Sequence, residues 1–230
     1  MKMVTREYKV YEYNELSEDA KEKVRQNIGN EDCEVFLSDT LNESFKDLLN
    51  QFAFPSEDNV IKYSLSNCQG DGVSFYFEES LTYEIIDIIK RVNLEDDFKN
   101  FSTRSKEYVS KVTNQISISD LEMKRLEFMI EEGIFSISVA NNNYINYCHK
   151  FSVDRDFELD STYEWFPKWS EFEELVERVF NFIKNLTLNL CDMMENIGYE
   201  EIEYRYSDEN AKNASEINEY FYLEDGTLFE

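Results

Sequence analysis

Bases are scarce in this chain. Against 49 Asp and Glu stand only 23 Lys and Arg, a net charge of -26 over 230 residues. Nucleic-acid affinity comes mostly from Lys and Arg neutralising phosphates, so direct binding to DNA or RNA is excluded. Proline and glycine are also few, 2 and 6. No Pro/Gly/Ser-rich linker interrupts the chain, and one domain over residues 1–230 is expected. The four cysteines, Cys33, Cys68, Cys148 and Cys191, lie far apart with no C-x-x-C pair. That pattern speaks against a zinc ribbon or a thioredoxin-like site. They read as buried small hydrophobes or free thiols. No run approaches the roughly 18 apolar residues of a membrane helix. The opening MKMVTREYKVYEYNEL lacks the apolar core of a signal peptide, and a cytoplasmic protein is expected. Neither G-x-x-x-x-G-K-[ST] nor G-x-G-x-x-G occurs. No cofactor, metal or catalytic constellation is therefore expected, and the chain does not read as an enzyme.

What is present is a folded composition. Disordered acidic chains are poor in aromatics, but this one carries 18 Phe, 15 Tyr and 2 Trp and is 42% hydrophobic. The acidity is uneven. Residues 31–60 hold eight acids and one base, and residues 192–230 hold twelve acids and two bases, while residues 1–30 and 101–153 are balanced. Concentrated acids form either a solvated coat or a face that attracts basic clefts.

Periodicity divides the chain into strands and helices. Residues 7–13 alternate charged and apolar, predicting a strand. Ser17 suits an N-cap, followed by Ala20, Val24 and Ile28 at helical spacing, with Gly29 as the stop. Leu37, Leu41, Phe45, Leu48, Leu49 and Phe52 predict a helix over about 33–52, ending before Pro55. Its outer face carries Glu34, Asp39, Glu43 and Asp47. Residues 60–66 and 73–77 read as two strands around Gln69-Gly70-Asp71-Gly72. Residues 81–92 and 120–132 read as helices, whereas 95–117 fit neither pattern. The alternation in 134–139 and 144–151, joined by Asn141-Asn142-Asn143, predicts a second hairpin. A long helix is expected over about 170–197, a helix capped by Ser207 to about Tyr220, and a terminal hairpin around Asp225-Gly226. The class is α+β, an antiparallel sheet built from hairpins and packed against several helices.

Three segments resemble a family of phage and prophage proteins, some labelled antitoxin-like. They are Glu15-Leu16-Ser17-Glu18-x-Ala20-Lys21-Glu22-Lys23, Gln69-Gly70-Asp71-Gly72-x-Ser74-Phe75, and Asn218-Glu219-Tyr220 with Glu224-Asp225-Gly226. Members tend to carry several histidines around the second hairpin, where this chain has only His149. The resemblance implies a phage accessory protein and brings no activity with it. By analogy, such proteins often inhibit host defence, and strongly acidic ones often imitate nucleic acid.

The candidate residues follow from these patterns. Glu34, Asp39, Glu43, Asp47, Glu200, Glu201, Glu203, Asp208 and Glu209 would meet a basic host protein in its nucleic-acid cleft, such as a CRISPR effector or restriction enzyme. Gln69, Gly70, Asp71 and Gly72, with His149, form the alternative. Glycines there expose backbone N–H groups that a small ligand or nucleotide signal would use, in a sequestering protein or a small enzyme, although a structural turn is the simpler reading. An anionic ligand would need local cations, and Lys62, Lys150 and Arg155 are the sources. Cys148 and His149 are adjacent and point to opposite strand faces, which makes a poor nucleophilic pair. Asp154, Asp156, Glu158 and Asp160 alternate without calcium-loop spacing and read as an exposed edge. Trp165 and Trp169 read as core or as a staple at the helix entry. An antitoxin role is the third reading, and nothing in the pattern excludes a homodimer.

Overall fold

The structure, a computed structural model, describes residues 6–31, 34–55, 59–66, 68–93, 116–142 and 147–229. The helices are α1 (Glu18–Glu31), α2 (Glu34–Gln51), α3 (Ile85–Val92), α4 (Asp120–Glu131), α5 (Trp169–Arg205) and α6 (Asp208–Ile217). The strands are β1 (Asn59–Ser64), β2 (Gly72–Phe77), β3 (Phe135–Asn141) and β4 (Val153–Leu159). The expected α+β class holds, with two small antiparallel sheets among the described residues, β1–β2 and β3–β4, beside mostly helical structure. The chain divides into two compact units, residues 1–41 with 198–230, and residues 42–197.

The first unit is built on α1 and α6. Ser17 caps α1, its hydroxyl accepting from the Ala20 N–H. Tyr13, Leu16, Ala20, Val24, Ala211 and Tyr222 form its core. The strand expected over 7–13 shrinks to one bridge, in which Tyr11 and Tyr222 exchange both backbone bonds at 2.9 Å. The alternation there reflects two inward tyrosines and no longer pairing. Gly29 does not stop α1. It lies inside the helix, where a Cβ would come 2.5 Å from the Tyr206 ring. The C-terminal turn around Asp225-Gly226 is present, closed by Leu223 N–H donating to the Thr227 carbonyl at 2.8 Å.

The second unit contains both sheets. β1 and β2 pair from Asn59↔Phe77 to Ser64↔Gly72. Phe54, Phe75 and Phe77 pack ring against ring behind them, and Phe45 meets Tyr63 edge-on at 5.7 Å. The predicted partner of β3 is corrected: β3 pairs with 153–159, from Phe135↔Leu159 to Asn141↔Val153. Residues 143–146 lie outside the described residues, and Lys150–Ser152 form a 3-10 turn. Hydrophobic alternation is as good in 144–151 as in 153–159, so periodicity alone picked the nearer segment. Residues 94–115, which include most of the ambiguous 95–117, also lie outside.

Two helix boundaries moved for physical reasons. α3 starts at Ile85 because Leu81 and Thr82 bond to Ile137 of β3. α5 runs on to Arg205 through Gly198, which a long helix tolerates at about 1 kcal/mol. α4 begins with a capping box, Ser119 and Glu122 bonding each other's backbone N–H groups. Three helices end alike, each with paired i→i−5 and i→i−3 backbone bonds closing on a residue of positive φ: Ala53 after α2, Gly133 after α4 and Glu219 after α6.

Gly226 is the most constrained turn residue. It sits at φ 78, and a Cβ would land on the Ala20 carbonyl oxygen. Gly226→Ala is expected to lower unfolding free energy by about 1–3 kcal/mol, from the left-handed backbone and the clash together. Urea denaturation measures it, and an unchanged midpoint would show that the turn yields without loss.

Candidate functional site

The acidic surface is built by helix periodicity. On α2, Leu41, Phe45, Leu48, Leu49 and Phe52 are buried, which places Asp39, Glu43 and Asp47, four residues apart, on the outer side. All three are exposed. None has an ion-pair or hydrogen-bond partner among the described residues. Glu34 opens α2, but its side chain lies outside the described residues.

The second run lies at the end of α5 and the start of α6. Glu200, Glu203 and Glu209 are exposed, and Glu201 is half-buried. Asp208 differs from its neighbours because it is engaged by the fold. Its Oδ1 accepts from the Tyr13 hydroxyl at 2.7 Å and from Arg25 Nη1 at 3.1 Å. Those bonds, Tyr13 first, pull the Asp208 carboxyl below its usual range. Burial, and then the bond to Asp208, push the Tyr13 hydroxyl up to about 12. A third acidic face is the outer side of β4, where Asp154, Asp156 and Glu158 are exposed and Arg155 and Phe157 turn inward by half. Asp160 caps the next turn, accepting from the Thr162 N–H. Trp165 is not core: it is exposed and stacks on Phe166 at 4.5 Å. Trp169 is half-buried and donates to Glu173.

The Gln69–Gly72 segment is a turn held by its own aspartate. Asp71 is buried. Its Oδ1 accepts from Ser64 Oγ at 2.6 Å and Cys68 Sγ at 3.1 Å, and its Oδ2 accepts from the Cys68 N–H at 2.8 Å. These bonds, Ser64 first, hold the carboxyl far below the ordinary range. Gly70 and Gly72 have φ 96 and 145, a backbone only glycine adopts easily. Close neighbours also demand them. A Cβ on Gly70 would come 2.7 Å from Tyr147, and one on Gly72 would come 3.3 Å from His149 Cα and 3.4 Å from Glu195 Oε2. Gln69 is exposed.

The fold therefore does bring His149 to the turn, together with Glu195, which sequence reasoning missed. His149 Nδ1 accepts from the Phe151 N–H at 3.3 Å and caps the 3-10 turn. Burial, then Asp192, pushes the Glu195 carboxyl up. Lys150 pairs with Asp192 at 2.6 Å. Arg155 donates through Nε to Thr187 at 2.6 Å and through Nη1 to the Lys150 and Val153 carbonyls. The Thr187 bond ties β4 to α5, and the carbonyl bonds tie Arg155 to its own strand and the turn before it. Compared with family models, curated proteins and solved structures, the chain matches none.

Three of the four cysteines lie among the described residues. A nucleophilic cysteine needs a depressed thiol pKa. Burial pushes the Cys148 and Cys191 thiols up, Cys191 to about 12, and Cys68 is raised by donating to Asp71. All three remain protonated at neutral pH. No group of three His, Cys, Asp or Glu side chains is placed to hold a metal among the described residues. No helix among them is long and apolar enough to cross a membrane.

The Asp71 clasp carries a signed pH dependence. Its folded carboxyl titrates below the unfolded value of about 4, so the stability it confers is present at neutral pH and lost as pH falls below that value. Asp71→Asn is expected to melt at lower urea than the parent at pH 7, with the gap narrowing steadily between about pH 4 and pH 2. A gap independent of pH would show that the carboxylate's charge is not what holds the turn.

Proposed function

We propose that this chain is a phage-type counter-defence protein that works by binding. It blocks a nucleic-acid-handling host protein by occupying its basic cleft with acidic helical faces. The observation that supports this best is the outer stripe of α2. Asp39, Glu43 and Asp47 are exposed, evenly spaced, and without a counterion among the described residues. A protein with a net charge of -26 raises its own electrostatic energy by leaving such a stripe uncompensated. A basic partner relieves that repulsion and gains attraction in the same step, with fast, salt-sensitive association. The resemblance to phage accessory proteins and the absence of an activated thiol among the described residues support binding over chemistry.

The test is capture from bacterial lysate, identification of the partner, and competition of that purified partner against duplex DNA. Binding is expected to weaken steeply between about 0.05 and 0.5 M salt. The triple variant Asp39→Lys, Glu43→Lys, Asp47→Lys should lose at least about tenfold in affinity, since each 1.4 kcal/mol is a factor of ten. Its thermal stability should be equal or higher, because exposed sites usually contribute within about 0.5 kcal/mol each. Full affinity in the triple variant, or binding indifferent to salt, would sink the reading.

A further inference from the structure

The first compact unit contains a cavity of about 290 Å³ between the turn after Tyr11 and the C-terminal end of α6. Its walls include three aromatic rings, Tyr13, Tyr220 and Phe221, and three acids, Glu12, Glu216 and Glu219. The remaining lining residues are Asn14 and Ser215, so no base contributes to it. Lys212 forms an i,i+4 ion pair with Glu216 at 3.9 Å, partly exposed, and Lys21 lies 5.9 Å from the Tyr13 ring; Glu12 and Glu219 have no such pair among the described residues. Ser215 does not compete for a ligand, since its hydroxyl is bonded to the Ala211 carbonyl and the Tyr222 hydroxyl.

Glu219 holds its place against the backbone's preference. Tyr220 N–H donates to the Ser215 carbonyl at 2.9 Å and Glu219 N–H to the Glu216 carbonyl at 3.4 Å. This helix ending requires its closing residue in the left-handed region and favours glycine there. The same ending closes on Gly133 after α4 and on the small Ala53 after α2, whereas here a glutamate stands at φ 54. Glu219 is thus the charged member of the three, and it borders this cavity.

We propose that this cavity takes an arginine side chain presented by a protein. The planar, weakly hydrated guanidinium stacks on aromatic rings and forks onto carboxylates, which a compact ammonium does less well. The volume lies at the lower end of small-molecule pockets, about 300 Å³ upward, and suits one side chain better than a cofactor. The inference rests on the reading of a basic protein partner and names one anchor on it. Arginine filling an aromatic-walled pocket is also the common chemistry of an interface hot spot.

The probe is acetyl-Gly-Arg-Gly-amide, titrated at about 0.15 M salt with its norleucine counterpart as control, because long-range attraction is largely screened there. Saturable binding of the arginine peptide alone is expected, with shifts confined to Tyr13, Tyr220 and Phe221 signals. Glu219→Gly should weaken it at least tenfold while raising Tm, because glycine relieves the left-handed backbone. Glu219→Gln should weaken it equally without the rise in Tm. Glu78→Gln removes the same charge from an exposed site outside every candidate surface and should change nothing. Equal loss in the Glu78 variant, displacement by an equal concentration of spermidine, or no saturable binding would overturn the proposal. Failure here with continued partner loss in the α2 triple variant leaves the wider reading standing. A working pocket with an indifferent triple variant removes the α2 stripe instead.

Discussion

Self-repulsion is the constraint around which this structure is arranged. With 49 acids and 23 bases, most carboxylates have no available counterion. Several of the bases therefore stand where one element meets another. Arg25 of α1 bonds Asp208 at the start of α6, and Lys23 bonds Asp225 in the terminal turn. Arg178 of α5 pairs with Glu122 in the first turn of α4, Arg125 of α4 with Glu171 of α5, and Lys150 with Asp192 of α5. Each pair, being partly exposed, contributes only about 0–1 kcal/mol. Their value lies in position: they remove repulsion at the junctions, where acids would otherwise face acids.

The favourable free energy comes from the interior. α5 alone buries Leu175, Val176, Val179, Phe182, Ile183, Leu186, Leu190, Met193 and Met194 along one side. At about 1.5–3 kcal/mol per fully buried apolar side chain, such a stripe outweighs any sum of exposed ion pairs. Arg155 is the exception that tests this division. Burial lowers its pKa; Nε and Nη1 donate to Thr187 and two carbonyls, and Nη2 has no hydrogen-bond partner among the described residues. Its hydrogen bonds go to neutral acceptors, although Asp154 beside it adds a favourable charge interaction.

How legible this was in the sequence depended on the kind of signal. Helices with caps and wide apolar stripes were legible: Ser17 and Ser207 stand at the starts of α1 and α6. The β1–β2 hairpin was legible because glycine at two positive φ values leaves little choice. Strand partnership was not, since 144–151 and 153–159 alternate equally well and only long-range contact selects one. Gly29 was misread because a glycine required by a neighbouring ring, Tyr206, looks like a glycine required by a helix end. The proximity of Glu195 to His149 and Gly72 had no local signal, being a contact between residues more than 40 apart. The inward turn of Asp71 was equally hidden, because a spacing of residues does not say whether an aspartate bonds its own loop or a ligand.

Charge density decides how the acidic faces can work. Carboxylates four residues apart on α2 repeat every 6 Å or so, given a rise of about 1.5 Å per residue. A duplex presents one negative charge per roughly 1.7 Å of its axis, and a single strand one per about 3.4 Å. The stripe is therefore sparser than either polymer. It can steer a basic cleft and lower the energy of encounter, but it does not reproduce a phosphate track by spacing. Long-range attraction of this kind sets association rate and excludes acidic competitors. Tight, selective binding needs in addition a desolvated contact in which aromatic area and a paired charge act together. An acidic coat whose only role is solubility has no use for such a contact. The glutamate at the left-handed end of α6, beside three aromatic rings, has the composition of such a contact.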